Sequence, residues 1–141
     1  MKRIIALRGV GNSGKTTTIW QLRDILPARG YPQIPGSFVD HGRDFSESFE
    51  RNGARVGITS AGDAYDLVHD RVQELIDSHC EIIVCACRSR DNGDHGTNAA
   101  INTFSPPYVI RFIEKIREPD QTLRVVANMN SAEELFRNIE L

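Results

Sequence analysis

Residues 9–16 read G-V-G-N-S-G-K-T, and this octet leaves the backbone little choice. Glycines at both ends allow positive φ, so successive N–H groups turn toward one common centre and suit a cluster of anionic oxygens. What flanks the octet fits the same geometry. Residues 2–7 (K-R-I-I-A-L) form a short β-branched apolar run suited to a buried strand. Residues 17–26, with Ile19, Leu22 and Leu26 on one face, read as a helix stopped by Pro27 and Gly30. A helix starting there presents unpaired N–H groups and about half a positive charge to the anion.

The octet satisfies G-x-x-x-x-G-K-[S/T], the Walker A pattern. In that pattern Lys15 adds a full charge toward the β and γ phosphates, and the Thr16 hydroxyl can ligate magnesium. On Gly9, Gly14, Lys15 and Thr16 the chain resembles the P-loop NTPase superfamily. The resemblance implies an α/β fold, a three-layer sandwich around a mainly parallel sheet, and binding of a nucleoside triphosphate with Mg2+. The residues it implies for the triphosphate are Gly9, Gly11, Asn12, Ser13, Gly14, Lys15, Thr16 and Thr17. It covers the first thirty residues well and the remainder only through general alternation of strands and helices.

A chain of 141 residues reads as one domain, residues 1–141, long enough to bury a core. Hydrophobic residues make up 40% and charged residues 26%, ordinary values for a soluble protein. No apolar run approaches the ~20 residues needed to span a bilayer. The first strand begins at once, which leaves no secretory signal and sets a cytoplasmic expectation. Net charge is −2, and the fourteen arginines are scattered along the chain, which speaks against general nucleic-acid binding. Cys80, Cys85 and Cys87 lack C-x-x-C spacing and read as reduced, buried thiols.

Farther along, residues 30–36 are loop-like, and Phe38–Val39 forms a short apolar patch before Asp40. Asn52–Gly53 suits a tight turn between arms at 46–49 and 54–59, giving a β-hairpin at the sheet edge. Ala64, Leu67, Val68, Val72, Leu75 and Ile76 keep helical spacing, and 81–87 (E-I-I-V-C-A-C) reads as a central strand. Residues 88–105 are polar and weakly periodic, a stretch with the character of a lid. Residues 106–117 fit a helix or a strand equally. Residues 123–127 suit another strand, and Ser131 followed by Glu134 forms a capping box for the last helix.

A phosphate loop needs a second carboxylate for magnesium. Asp63, at a strand-to-helix junction after Gly62, is the first choice for that ligand, although the usual four apolar residues do not directly precede it; capping the following helix is its structural alternative. Asp40 is the runner-up, as a carboxylate that orients an acceptor, or as a turn residue with His41 and Gly42. Arg88 and Arg90 leave the C-terminal end of the 81–87 strand, the edge where ligands sit in open α/β sheets. They look like the arginines of kinase lids, which neutralise charge on a transferred phosphoryl group. A solvated turn paired with Asp91 is the alternative.

His41 and His95, each after an aspartate (Asp40, Asp94), match no established metal-ligand spacing; His69 and His79 read as structural or exposed. Asn128 and Asn130 follow the last candidate strand, where some superfamily members contact the base. Neither N-K-x-D nor D-x-x-G occurs, so ATP is favoured over GTP. The leading expectation is a Mg2+-dependent phosphotransferase acting on a small acceptor, with Lys15, Asp63, Arg88, Arg90 and Asp40 as catalytic residues and Thr16 and Asp63 on the metal. The other is a regulatory ATPase or switch, a P-loop hydrolase whose bound triphosphate orders the 40–52 and 88–105 segments into a surface for a protein partner.

Overall fold

In strand β1 (Arg3–Arg8), Ile4 and Ala6 point to one face of the sheet and Ile5 and Leu7 to the other, and all four are buried. Such two-sided burial belongs to an inner parallel strand. The computed structural model describes residues 1–91, 93 and 95–141. Among these, ten elements follow β1 in the order α1 (Lys15–Ala28), β2 (Val39–Asp40), β3 (Phe45–Arg51), β4 (Ala54–Thr59), α2 (Tyr65–Asp77), β5 (Ile82–Cys87), α3 (Thr97–Asn102), β6 (Val109–Glu114), a 3-10 turn (Gln121–Leu123) and α4 (Arg124–Glu140).

The strands form one six-stranded sheet in the order β2-β3-β4-β5-β1-β6. β1 pairs in parallel with β5 on one side and β6 on the other, and β4 pairs in parallel with β5. β3 runs antiparallel to β4 and β2 antiparallel to β3. The C-terminal ends of β1, β2, β4, β5 and β6 therefore share one edge. Ile19, Leu22 and Leu26 of α1 and Leu135, Phe136 and Ile139 of α4 pack on the Ile5–Leu7 face. Val68, Val72 and Leu75 of α2 and Ala100 and Ile101 of α3 pack on the Ile4–Ala6 face. The molecule is an α/β protein with a mostly parallel sheet and four helices, compatible with a three-layer sandwich.

The hairpin forms as the turn chemistry predicts. Asn52 and Gly53 both take positive φ (52° and 81°), which joins β3 to β4 with the twist the pair requires. Pro27 does not stop α1 but sits inside its last turn; Arg29, Gly30 and Tyr31 close the end by donating to the carbonyls of Ile25, Leu26 and Pro27. Residues 106–117 resolve as β6, because parallel pairing with β1 from Arg3↔Val109 to Arg8↔Glu114 satisfies an extended backbone there.

Two expectations for the last part of the chain fail as well. Residues 123–127 are not a strand, and Ser131 does not open the last helix: α4 begins at Arg124, so Ser131 lies well inside it. The β-branched pair Val125–Val126 is exposed, and the buried spacing Ala132, Leu135, Phe136 and Ile139 sets the helix instead. The 88–105 stretch is not structureless either. It contains α3, with Ala100 and Ile101 in the core.

No helix among the described residues is long and apolar enough to cross a membrane. Cys80, Cys85 and Cys87 are free and buried. Burial pushes the Cys85 thiol well up and that of Cys87 to about 12, which keeps both protonated and unreactive at neutral pH.

Leu22 is completely buried, whereas Leu67 of α2 is 41% exposed despite its helical spacing. Leu22→Ala is expected to cost about 2–5 kcal/mol and Leu67→Ala less than about 1 kcal/mol, read from urea unfolding midpoints.

Candidate functional site

The loop at 9–16 is fastened to both neighbours of β1. Gly9 N–H donates to the Cys87 carbonyl at 3.1 Å, and Lys115 N–H donates to the Arg8 carbonyl at 2.6 Å. A side chain at Gly9 would meet the Lys115 carbonyl oxygen at 2.5 Å, so only glycine passes there. Asn12 and Gly14 take positive φ (59° and 97°), and Gly14 is the N-cap of α1. A side chain at Gly14 would meet Asn128 Oδ1 at 2.3 Å, so the turn demands glycine by backbone angle and by contact. Thr18 Oγ1 donates to the Gly14 carbonyl at 2.7 Å and steadies the first helical turn.

Lys15 is 8% exposed and its ammonium donates to the carbonyls of Gly9 at 2.7 Å and Val10 at 2.9 Å. Burial lowers its affinity for the proton; the Arg88 charge acts the same way, and Asp63 opposes them. Ser13 Oγ is buried with no hydrogen-bond partner among the described residues. Ser13 Oγ lies against Gly9, where an added Cβ would meet it at 2.8 Å, so it closes the turn from inside.

Above the loop lies a cleft of about 520 Å³, a volume that suits a small-molecule ligand. It is lined by Gly11, Asn12, Ser13, Gly14, Lys15, Thr16 and Thr17, by Asp63 and Arg88, and by Arg117, Glu118, Arg124 and Asn128. A second cleft of about 760 Å³ shares Val10's neighbour Gly11 with the first, and also Asp63 and Arg88. Its other walls include Tyr65, Asp66, Arg90, Asp91 and His95.

Asp63 does not cap α2, whose N-cap is Ala64 with no side-chain bond. Its exposed carboxylate lies 3.3 Å from Arg88 Nη2. Such an open pair is worth at most about 1 kcal/mol, so a ligand can separate it at little cost. The closeness that Gly62 permits is to the protein itself, since a side chain there would meet Ala86 Cβ at 2.8 Å. That close crossing carries the chain from β4 over β5 toward Arg88. The end of β5, the direct neighbour of β1, carries Arg88 rather than an acid.

Asp40 stays outside both clefts. It ends β2 at the far edge of the sheet, and its Oδ1 accepts from Gly42 N–H at 2.8 Å, the turn role. Asp91 is a cap rather than a partner for the arginines. Its carboxylate accepts from the N–H of Asn98 and Ala99 (3.0 and 2.9 Å) and from Asn98 Nδ2 (2.8 Å). Burial alone would raise its pKa, but these bonds outweigh it and bring the carboxyl below its ordinary value. Arg88 N–H donates to Thr97 Oγ1 at 2.8 Å, so the 88–97 segment is pinned at its start.

His41 faces Ser46 Oγ at 3.3 Å, and His95 stacks on Tyr65, while Asp94 lies outside the described residues. Among the described residues no group of three or more His, Cys, Asp or Glu side chains is placed to hold a metal ion. Thr16 and Asp63 offer one hydroxyl and one carboxylate to the first cleft, hard oxygen donors of the kind Mg2+ takes while keeping most of its water.

Asn128 and Asn130, expected to follow a strand, lie in α4; Asn128 lines the cleft against Gly14, and Asn130 is not part of its lining. Arg117, Glu118 and Arg124 were missed. Arg124 Nε donates to the Glu118 carbonyl at 2.8 Å and braces the turn between β6 and α4. A signal was present: Arg124 and Asn128 continue, at four-residue steps, the buried line that runs through Ala132 and Phe136.

No family model and no curated protein matches the sequence. Among solved structures, one described as "Crystal structure of APE1195" is similar over 99% of this chain and 73% of that one, with 12% identity and a TM-score of 0.40. A likeness that weak carries no argument.

Gly14→Ala is expected to cost more than about 1 kcal/mol in urea unfolding, part of it from the clash with Asn128. In an Asn128→Gly background the same change should cost less, with a coupling of about 0.5–3 kcal/mol. Additive costs would show that Asn128 does not crowd the loop.

Proposed function

We propose that the chain binds a Mg2+–nucleoside triphosphate, ATP in preference to GTP, at the 9–16 loop and transfers its γ-phosphoryl group to a small acceptor in the second cleft. This reading includes the P-loop NTPase fold and the resemblance on Gly9, Gly14, Lys15 and Thr16. The observation that carries it is the pair of adjoining clefts: one is floored by the glycine loop and Lys15, and the two share Gly11, Asp63 and Arg88.

In this reading the amides of 11–17 and the Lys15 ammonium hold the phosphates. To do so, Lys15 exchanges two carbonyl partners for phosphate oxygens, which also lifts the proton-affinity penalty of its burial. Thr16 and Asp63 would hold Mg2+, which when bound supplies positive charge to the phosphate oxygens. Arg88 and Arg90 neutralise charge that grows on the γ-phosphoryl group during transfer. The acceptor oxygen bonds to the γ phosphorus as the bond from that phosphorus to the bridging oxygen breaks, and the nucleoside diphosphate leaves with the electron pair. With Asp40 at the far edge and Asp91 engaged by α3, the acceptor's proton passes to Asp66, the remaining carboxylate beside Asp63 among the described residues of that cleft.

A second reading, the nucleotide-dependent switch, is favoured by a different observation. Ile116, Leu123, Val125, Val126 and Met129 are all exposed and interleave with cleft residues Arg117, Arg124 and Asn128. Bound triphosphate at 117–128 would then alter an apolar surface offered to a protein partner. The two readings separate on acceptor dependence. Transfer predicts that ADP release rises sharply with one class of small acceptor, whereas an unchanged slow background across a panel supports the switch.

Lys15→Met is expected to weaken Mg-ATP binding roughly 10- to 100-fold by calorimetry. Stability should move the other way. Because the folded state lowers this proton affinity from 10.5, the unfolded chain binds more protons between the folded pKa and about 10.5, and stability attributable to Lys15 rises with pH across that window. Below it the charged, desolvated amine is a standing cost. Lys15→Met should therefore keep or raise the urea midpoint at pH 7, and the gain should fade above the window. Replacing Arg88 and Arg90 together should lower kcat more than it raises KM; a pure KM effect would assign them to anchoring.

A further inference from the structure

The second cleft is walled by one end of a column of rings. Phe104, in the core, stacks with His69 at 5.0 Å between centroids and 26° between planes. His69 lies parallel to Tyr65 at 6.0 Å and 5°, and Tyr65 stacks with His95 at 4.0 Å and 15°. The column runs from the α2–α3 core to the cleft, where Tyr65 and His95 both form part of the wall. Arg88 and Arg90 stand on the same wall. Phosphate binding at the glycine loop requires none of these rings, and the packing of α2 on α3 requires Phe104 but not His95.

We infer that the second cleft takes a ligand with a flat aromatic ring that carries a phosphate or carboxylate group. The ring extends the Phe104–His69–Tyr65–His95 stack, and the anion meets Arg88 and Arg90. Offset stacking rewards a planar π-system over a saturated ring of equal size, and guanidinium groups reward a planar or tetrahedral oxyanion. Asp63 and Asp66 on the same wall accept hydrogen bonds and disfavour a second anionic group. In the transfer reading, on which the acceptor role rests, this ligand is the acceptor class. The binding site itself does not depend on that reading.

The test is calorimetric titration at pH 7.5 with phenyl phosphate, adenosine 5′-monophosphate, benzoate, ribose 5-phosphate and adenosine, with and without a saturating Mg2+–non-hydrolysable ATP analogue. At least one of the three aromatic anions is expected to bind roughly ten-fold tighter than both ribose 5-phosphate and adenosine. Phosphate and carboxylate probes tell which oxyanion is preferred. His95→Ala, an exposed position that leaves the core untouched, should remove most of that preference, and Arg90→Ala should weaken each anion roughly ten-fold. Equal affinity for ribose 5-phosphate and every aromatic anion, aromatic binding that ignores both substitutions, or no heat from any probe would overturn the inference. If the analogue fails to bind while an aromatic anion binds in a His95-dependent way, the phosphate-loop reading falls and this one stands. The reverse pattern spares the loop and removes the aromatic site.

Discussion

The rest of the molecule depends on how β1 is gripped. It lies between two parallel neighbours, and the bonds from Gly9 N–H to Cys87 and from Lys115 N–H to Arg8 carry that grip one residue past the strand. The chain therefore leaves the sheet at a defined point and has to turn at once into α1. A glycine with φ of 97° ends the turn, and the buried Ile19–Leu22–Leu26 face holds the helix that follows. Loosening either neighbour would free the loop amides to seek other partners.

A local field forms at this edge although the chain's net charge is −2. Lys15, Arg88, Arg117 and Arg124 all line the first cleft, opposed there by Asp63 and Glu118. Lys15 is the buried charge among them, and its lowered proton affinity reflects that burial first and the neighbouring Arg88 charge second. Clefts of this kind are set by which residues the sheet edge gathers, not by bulk composition. That is why a weakly acidic protein presents a basic mouth.

Much of the scaffold was legible in short-range pattern. The unbroken apolar run at residues 4–7, the Asn52–Gly53 turn, the helical spacing of Val68, Val72 and Leu75, and the apolar run at 82–87 each reflect a local rule that the tertiary structure obeys. The failures share a cause. Val125–Val126 has β propensity but no strand beside it to accept its backbone bonds, so the buried stripe farther along α4 decides the matter. Asp40 looked like a site residue because it follows an apolar patch, yet β2 lies three strands from β5, and strand order is a long-range property.

Residues 9–16 by themselves determined a glycine turn and a helix start, because steric exclusion at positive φ acts within a few bonds, and the apolar run before them determined the strand. Side-chain spacing likewise settled the inward faces of α1 and, apart from Leu67, of α2. Only the folded chain decided that Asp63 reaches Arg88 across β5, that Asn128 rather than solvent fills the space above Gly14, and that rings from positions 65, 69, 95 and 104 form one stack. Those contacts join residues whose proximity follows from sheet order and helix docking, and no local spacing rule encodes either.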